Sequence, residues 1–297
     1  MRDALERIGR VDPEIVDRAL VDTIRTADSQ PGYRTTVRVG VDQGRVGYRR
    51  ARSHDIIPAD VCRVAHPLLE DLLRTIRISD GSINEATLRV SASNGERIVL
   101  VDGDSNEADA PEDVSVISRS ELDAGRTLAI TEAAAGRDWR VSADSFFQPG
   151  PTVATLLAEV VQEQVGDLAG RTVVDAYAGV GLFAGSLGRS ADRVHAVERS
   201  GSSTADARIN LVDSNAIIHE VDIEDWSPIP ADVVIADPAR SGLGENGAAV
   251  LHRCGASTFV LVSCDTGSLG RDVGLLLAAD YRLESVVMVD ALSLIHI

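Results

Sequence analysis

In the stretch TFVLVSCDTG, an apolar run from Phe259 to Val262 delivers Ser263, Cys264 and Asp265 to its end. Bounded by Ser-Thr and Asp-Thr-Gly, it predicts a buried parallel strand whose carboxyl end opens into a loop, where open α/β sheets bind ligands. A thiol there could attack a substrate. Read alone it is first a core thiol, since free Cys is among the most buried residue types. A second constellation is VVDAYAGVGLFA, in which Gly179, Gly181 and Ala184 match the G-x-G-x-x-G/A loop that brings backbone close to a nucleotide. Asp175 stands four residues before the first glycine, where it would repel a pyrophosphate, and so favours a cationic or neutral ligand. Glu198 closes the next strand, placed to accept from ribose hydroxyls, and Asp222 ends the third. Singly, each acid reads as a helix cap or a solvated charge. At three successive strand ends they read as one site. The fourth strand ends in ADPARSG, where Pro238 removes a donor and fixes the backbone beside Asp237.

Those positions require strands that all point the same way. From Pro151 onward, stretches of strand and helix length alternate, from VATLLAEVVQEQV through RTVVDA and RVHAVE to GSLGRDVGLLLAA, which predicts an α/β fold with a doubly wound parallel sheet. The first half follows another grammar. TTVRVGVDQGRVGYRR alternates about an Asp-Gln-Gly turn, HPLLEDLLRTIRI has helical spacing, and two strands flank Asn94-Gly95, a strong hairpin signal. With a short leading helix and an acidic surface loop at 102–113, this is expected to be an antiparallel α+β unit. The boundary is expected within 131–150, giving domains 1–138 and 139–297.

The 297 residues carry a net charge of −17, which would argue against a polyanionic partner if the charge were uniform. It is not uniform. All 29 basic residues are Arg, and Arg34, Arg38, Arg45, Arg49, Arg50 and Arg52 face a single nearby acid, Asp42. Guanidinium groups grip phosphate bidentately, so this cluster is a candidate nucleic-acid contact; a solvated strand face is the competing reading. No window approaches ~18 uninterrupted apolar residues, and the first residues lack a signal-peptide layout. Cys62, Cys254 and Cys264 are odd in number and far apart, which fits a reducing compartment and a soluble, cytoplasmic protein.

DAYAGVGLF, ADPARSGLG and VSCDTGSLGRD, in this order, resemble the RNA uracil-C5 methyltransferases, a class I S-adenosylmethionine-dependent family acting on 23S ribosomal or transfer RNA. SFFQ (145–148) is similar to the segment that opens that family's catalytic domain, and RSHDIIPADVCRVAHPLLEDLL to its preceding RNA-facing domain. The resemblance implies a Rossmann-like methyltransferase sheet, S-adenosylmethionine as cofactor and RNA as partner, ribosomal RNA foremost. It also implies that Gln148, Tyr177, Leu182, Glu198, Asp222 and Asp237 line the cofactor site and that Cys264 is the nucleophile. The chemistry accounts for a thiol: addition at C6 of uracil makes C5 nucleophilic enough to take a methyl group. Asp237 or its loop backbone, and Arg240, would hold the uracil edge and the charge growing on O4.

Two departures accompany the resemblance. The family often binds an iron-sulfur cluster on four cysteines, of which Cys62 alone has a counterpart here, so no cluster is expected and Cys62 reads as a lone remnant or a buried thiol. The family's proton-abstracting Glu follows the Cys by a few tens of residues on the last strand, whereas this sequence stops at Ile297. The expectation is a chain truncated at both ends, with slow turnover, and with TFVLVSC short of a strand neighbour so that YRLESVVMVD pairs elsewhere or stays an edge. The tail ALSLIHI resembles translated adaptor sequence, and His296 is given no role. An NAD(P)-dependent dehydrogenase would explain Gly179, Gly181 and Glu198 but neither ADPAR nor SCD. An amino-methyltransferase using the Asp-Pro loop and a non-catalytic RNA-binding fragment are the remaining readings.

Overall fold

The computed structural model describes residues 1–21, 24–26, 32–50, 53, 55–59, 61–79, 81 and 83–290. Contacts divide the chain into two compact units, one of residues 26–156 and one of residues 1–25 with 157–290. The leading helices α1 (Arg2–Arg7) and α2 (Pro13–Ala19) belong to the second unit, where Leu5, Val11 and Val16 bury against Val273. The sequence reading grouped them with the first half. Their periodicity announces an apolar stripe but not the surface that covers it.

In the unit of residues 26–156, which follows the two-residue strand β1 (Arg25–Thr26), β2 (Thr36–Asp42) and β3 (Arg45–Arg49) form a hairpin through Gln43 and Gly44. Both turn residues have positive φ, at 49° and 77°, matching the right-handed twist of the strands. Next come β4 (Ile56–Pro58), α3 (Pro67–Thr75), β5 (Arg77–Ile78), β6 (Glu85–Val90), β7 (Arg97–Val101), β8 (Ala108–Asp109) and β9 (Val114–Ser118). The main sheet runs β4-β3-β2-β6-β7-β9, and α3 lays Leu69, Leu72 and Leu73 on Val37, Val39, Leu88 and Val99. β9 lies parallel to β7, so this unit is mixed rather than antiparallel. The acidic stretch 102–113 is the crossover: β8 pairs with β5, and the chain returns to bring Val114 opposite Arg97. After the short helix α4 (Arg119–Asp123), a separate hairpin of β10 (Ala129–Ala134) and β11 (Arg137–Ser142) buries Trp139, whose indole N–H donates to Ala134 O at 2.9 Å.

Helix α5 (Pro151–Val165) leads into the second unit. There β12 (Thr172–Ala176), α6 (Leu182–Leu187), β13 (Arg193–Glu198), α7 (Gly201–Asn210), β14 (Ala216–Glu220), β15 (Val233–Ala236), α8 (Gly244–His252), β16 (Thr258–Leu261) and α9 (Thr266–Ala278) alternate as expected. The five strands are parallel in the order β14-β13-β12-β15-β16. The winding reverses beside β12, and a crevice at the carboxyl ends follows from that reversal. Val174, Ala176, Val234 and Ala236 pack with Leu251 and Leu276 in the core.

Strand β16 departs from the buried strand its composition predicts. Among the described residues β15 is its sole neighbour, and Phe259 to Val262 are half-buried. The stretch 281–290, which ends in β17 (Val289–Asp290), pairs elsewhere: Val286 N–H donates to Ala19 O at 2.8 Å and Val21 N–H to Val286 O at 3.0 Å. Among the described residues no helix is long and apolar enough to cross a membrane. The tail 291–297, with His296, lies outside the described residues.

Candidate active site

Strand β12 ends in Asp175-Ala176, and the chain turns into α6 through Tyr177, Gly179 and Gly181, with φ of 62°, 56° and 93°. That left-handed region costs a residue with a side chain roughly 1 kcal/mol or more, which glycine escapes and Tyr177 does not. Three bonds fasten the turn. Glu198 Oε2 accepts from Gly179 N–H at 2.9 Å, Asn210 Nδ2 donates to Val180 O at 3.0 Å, and Asp175 Oδ2 accepts from Ala184 N–H at 2.8 Å. Asp175 is fully buried and its Oδ1 has no hydrogen-bond partner. Burial pushes its carboxyl up to about 7; the Ala184 N–H pulls the other way, and the Asp237 and Glu198 charges add to the rise.

The strand register sets the other predicted residues level with this turn. Ala176 lies opposite both Val197 and Ala236, so Tyr177, Glu198 and Asp237 leave three adjacent strands together. Glu198 Oε1 also accepts from Ser200 N–H at 2.8 Å. Asp222, two residues beyond β14, is half-buried, accepts from Glu224 N–H at 3.2 Å and meets Arg199 Nη1 at 3.4 Å. Leu182 is buried in the first turn of α6. Tyr177 reaches Gly247 of α8, where an added Cβ would stand 2.8 Å from its hydroxyl. Burial, reinforced by the Asp222 and Glu224 charges, pushes that phenol up to about 12, which keeps it a neutral donor. Gln148 belongs to the other unit, half-buried between Phe147 and Pro149.

Cys264 is exposed, whereas Cys62 and Cys254 are buried. The exposure decides against the core-thiol reading. The residue stands immediately before Asp265, the N-cap of α9, whose Oδ1 accepts from Ser268 N–H at 2.8 Å. The Asp265 carboxyl lies below its usual range, chiefly through that N–H and also through the Arg240 guanidinium. Val262 N–H donates to Ala236 O at 2.8 Å, so the strand ends that lead to Asp237-Pro238-Ala239-Arg240 and to Ser263-Cys264 are neighbours. Cys62 accepts from Tyr48 Oη–H at 3.3 Å, and among the described residues no cluster of His, Cys, Asp or Glu could hold a metal.

Of the arginines in the first unit, Arg38, Arg45 and Arg49 project from the face of β2–β3 opposite the buried Val37, Val39 and Val46. Arg38 is bonded to Glu85 at 2.9 Å. Arg50 is exposed, Arg34 is half-buried, and Arg52 lies outside the described residues.

Sequence reasoning passed over Asp272. Helix α8 begins at Leu243, which has no side-chain oxygen to cap it; the Asp272 carboxylate, 1% exposed, accepts from Leu243 N–H at 2.7 Å and Gly244 N–H at 3.3 Å instead. An acid four residues from the buried Ser268 and Leu276, on the core-facing stripe of α9, was the available signal.

No protein-family model matches the chain. It is 31% identical over 291 residues to an uncharacterised RNA methyltransferase of Streptomyces avermitilis, a match covering 91% of the chain and 66% of that relative. A Streptomyces coelicolor protein of the same description is 31% identical, with 89% of the chain and 61% of the relative covered. A third, from Gloeobacter violaceus, is 29% identical over the whole chain and 74% of its own length. Against the first two relatives, then, the chain spans a little under two thirds of their length. Among solved structures, the Pyrococcus abyssi tRNA (uracil-54, C5)-methyltransferase in complex with S-adenosyl-L-homocysteine superposes with a TM-score of 0.71, covering 98% of this chain and 78% of that one at 21% identity, and so shares its fold.

Proposed function

The chain belongs to the same family as the RNA methyltransferases it matches, and from that premise we propose that it methylates C5 of uracil in RNA, 23S ribosomal RNA foremost, with S-adenosylmethionine. One observation carries the reading: an exposed Cys264 stands at the neighbouring strand end to the Asp237–Arg240 loop, on the same sheet as the Gly179–Gly181 turn.

The residues present fit the cofactor. Gly179 leaves backbone open to a nucleoside, Gly181 lets the turn close on Leu211, and Glu198 and Asp222 offer acceptors to ribose hydroxyls and an adenine amine. The buried, unpartnered Asp175 Oδ1, with Asp237 nearby, makes an acidic setting for a ligand carrying ammonium and sulfonium charges. Tyr177 and Leu182 would supply apolar walls. Bound there, the cofactor supplies a methyl group as an electrophile.

The chain's own groups do the rest. The Cys264 thiolate adds to C6 of the uracil, forming a C–S bond and moving the ring π-pair onto C5 and O4. Arg240 and the backbone of the Asp237 loop would stabilise the charge on O4. Once that pair has become the bond from C5 to the methyl group, loss of the C5 proton to a base turns the C5–H pair into the restored C5–C6 double bond, and the thiolate leaves with the C–S pair. A base attacked at C6 must be out of its stack, which directs the activity to single-stranded or flipped uridines. Arg38, Arg45, Arg49 and Arg50 would meet the phosphates, with Arg34 beside them.

The test is transfer of labelled methyl from S-adenosylmethionine to ribosomal and transfer RNA. The expected product is 5-methyluridine, with loss to background in Cys264→Ala. RNA containing 5-fluorouridine, which cannot lose fluorine as a cation, should accumulate a covalent protein–RNA band that the variant does not form. Methyl transfer retained by Cys264→Ala would sink the nucleophile assignment; calorimetric binding of NADH but not of S-adenosylmethionine would overturn the cofactor.

A further inference from the structure

Helix α9 begins beside the thiol and reaches back, two turns later, to the loop on the next strand. Asp272 lies seven residues beyond the Asp265 cap and is buried. Its carboxylate takes the two leading N–H groups of α8, Leu243 and Gly244, and is itself held by Arg271, whose Nε and Nη2 donate to Oδ1 at 2.9 and 2.7 Å. Arg271 Nη2 also donates to Ser241 O at 2.5 Å. Between these anchors Gly242 has φ of 75°, and a Cβ there would stand 2.1 Å from Asp272 Oδ2 and 2.5 Å from Arg271 Nη2. The Ser241–Gly244 segment is therefore clamped, with no room for a side chain at Gly242, onto the helix that starts beside Cys264. Arg240 enters that clamp directly.

We propose that Asp272 is a positioning residue: through Leu243, Gly244 and Arg271 it fixes where the Asp237–Arg240 loop stands relative to Cys264. Asp272 touches no reacting atom. Its effect passes through Arg240 and the loop backbone, where a displacement of about 1 Å can cost up to ~100-fold in rate. This deepens the methyl-transfer reading and rests on it, so the test has arms that need no RNA.

In the full chain, Asp272→Asn keeps the shape but removes the charge, and Arg271→Ala loosens Ser241 without emptying the buried site. Hydrogen exchange should show the amides of 241–244 opening at least ~10-fold faster in Asp272→Asn, with the remainder of the unit unchanged. Alkylation of Cys264 by iodoacetamide, selective because the other two cysteines are buried, should change in rate by ~3-fold or more, since a displaced Asp237–Arg240 loop alters the approach to the thiol. With saturating RNA, kcat should fall ~10-fold or more while KM for the cofactor stays within ~2-fold, a split that general loosening of the fold would not produce. Unchanged exchange at 241–244, unchanged alkylation, or kcat within ~2-fold of the parent each overturns the proposal. If the parent methylates no RNA, the functional reading fails, and exchange and alkylation decide the positioning role by themselves. If Asp272→Asn does not fold, Arg271→Ala carries the same three readouts.

Discussion

Burial holds the Asp175 carboxyl at about 7 against an ordinary 3.8, so the folded protein keeps a proton that the unfolded chain releases near pH 4. The stability this contributes is present in full below pH 3.8 and is lost as pH rises through about 7, by an amount on the order of 4 kcal/mol. Asp175→Asn should flatten that slope, unfolding at higher urea than the parent at pH 8 and losing the advantage toward pH 4. A cationic ligand at the Gly179–Gly181 turn favours the carboxylate, so its binding should tighten between pH 6 and pH 8 and release a proton. Calorimetry of S-adenosylmethionine binding in two buffers of different ionisation enthalpy reads that proton directly, and no buffer dependence would rule it out. Cys264 shows the other side of residue-scale reading: its type and its place after an apolar run are visible in the sequence, but only its exposure sets aside the core thiol.

Helix α9 joins three parts of its unit. Its first turn follows Cys264, its core stripe carries Asp272, and its remaining face receives α1. On that face Gly270 and Gly274 let backbones touch: a Cβ on Gly270 would stand 2.4 Å from Ala4 O, and one on Gly274 3.0 Å from Gly9 O. Alanine is the better helix former by about 1 kcal/mol, yet at Gly270 the contact is with backbone that cannot rotate away. Gly270→Ala should therefore cost a net ~1–3 kcal/mol, measured as a lower urea midpoint, and Gly274→Ala clearly less. The reverse order would mean that α1 is not seated on α9 as described. The same packing explains why residues 1–25 read in sequence as part of the first half: Gly270 and Gly274 reveal a close approach only once α1 lies against them. β9 is a parallel case, because the crossover that turns it parallel to β7 depends on β8 finding β5.

At the scale of the molecule, a chain of net charge −17 is expected to bind a polyanion only where its arginines gather. Arg49→Glu on the exposed face of β3 should weaken RNA binding uniformly across sequences and lower the slope of log affinity against log salt by about 1 or more, because a phosphate contact releases about one counterion. An unchanged slope would remove this face from the interface. The alternation of strand and helix, the glycine turn and the acids at successive strand ends are written in windows of a few residues, and the sequence by itself determined them: 3.6- and 2-residue periodicity and a need for positive φ are properties of neighbours along the chain. Tertiary structure alone decided which surface covers α1 and α2, that β16 is half-buried with β15 as its one neighbour among the described residues, that Cys264 faces solvent, and that α8 is capped by a carboxylate from another helix. Each of these depends on groups far apart in sequence meeting at atomic distance, and no local window holds both partners.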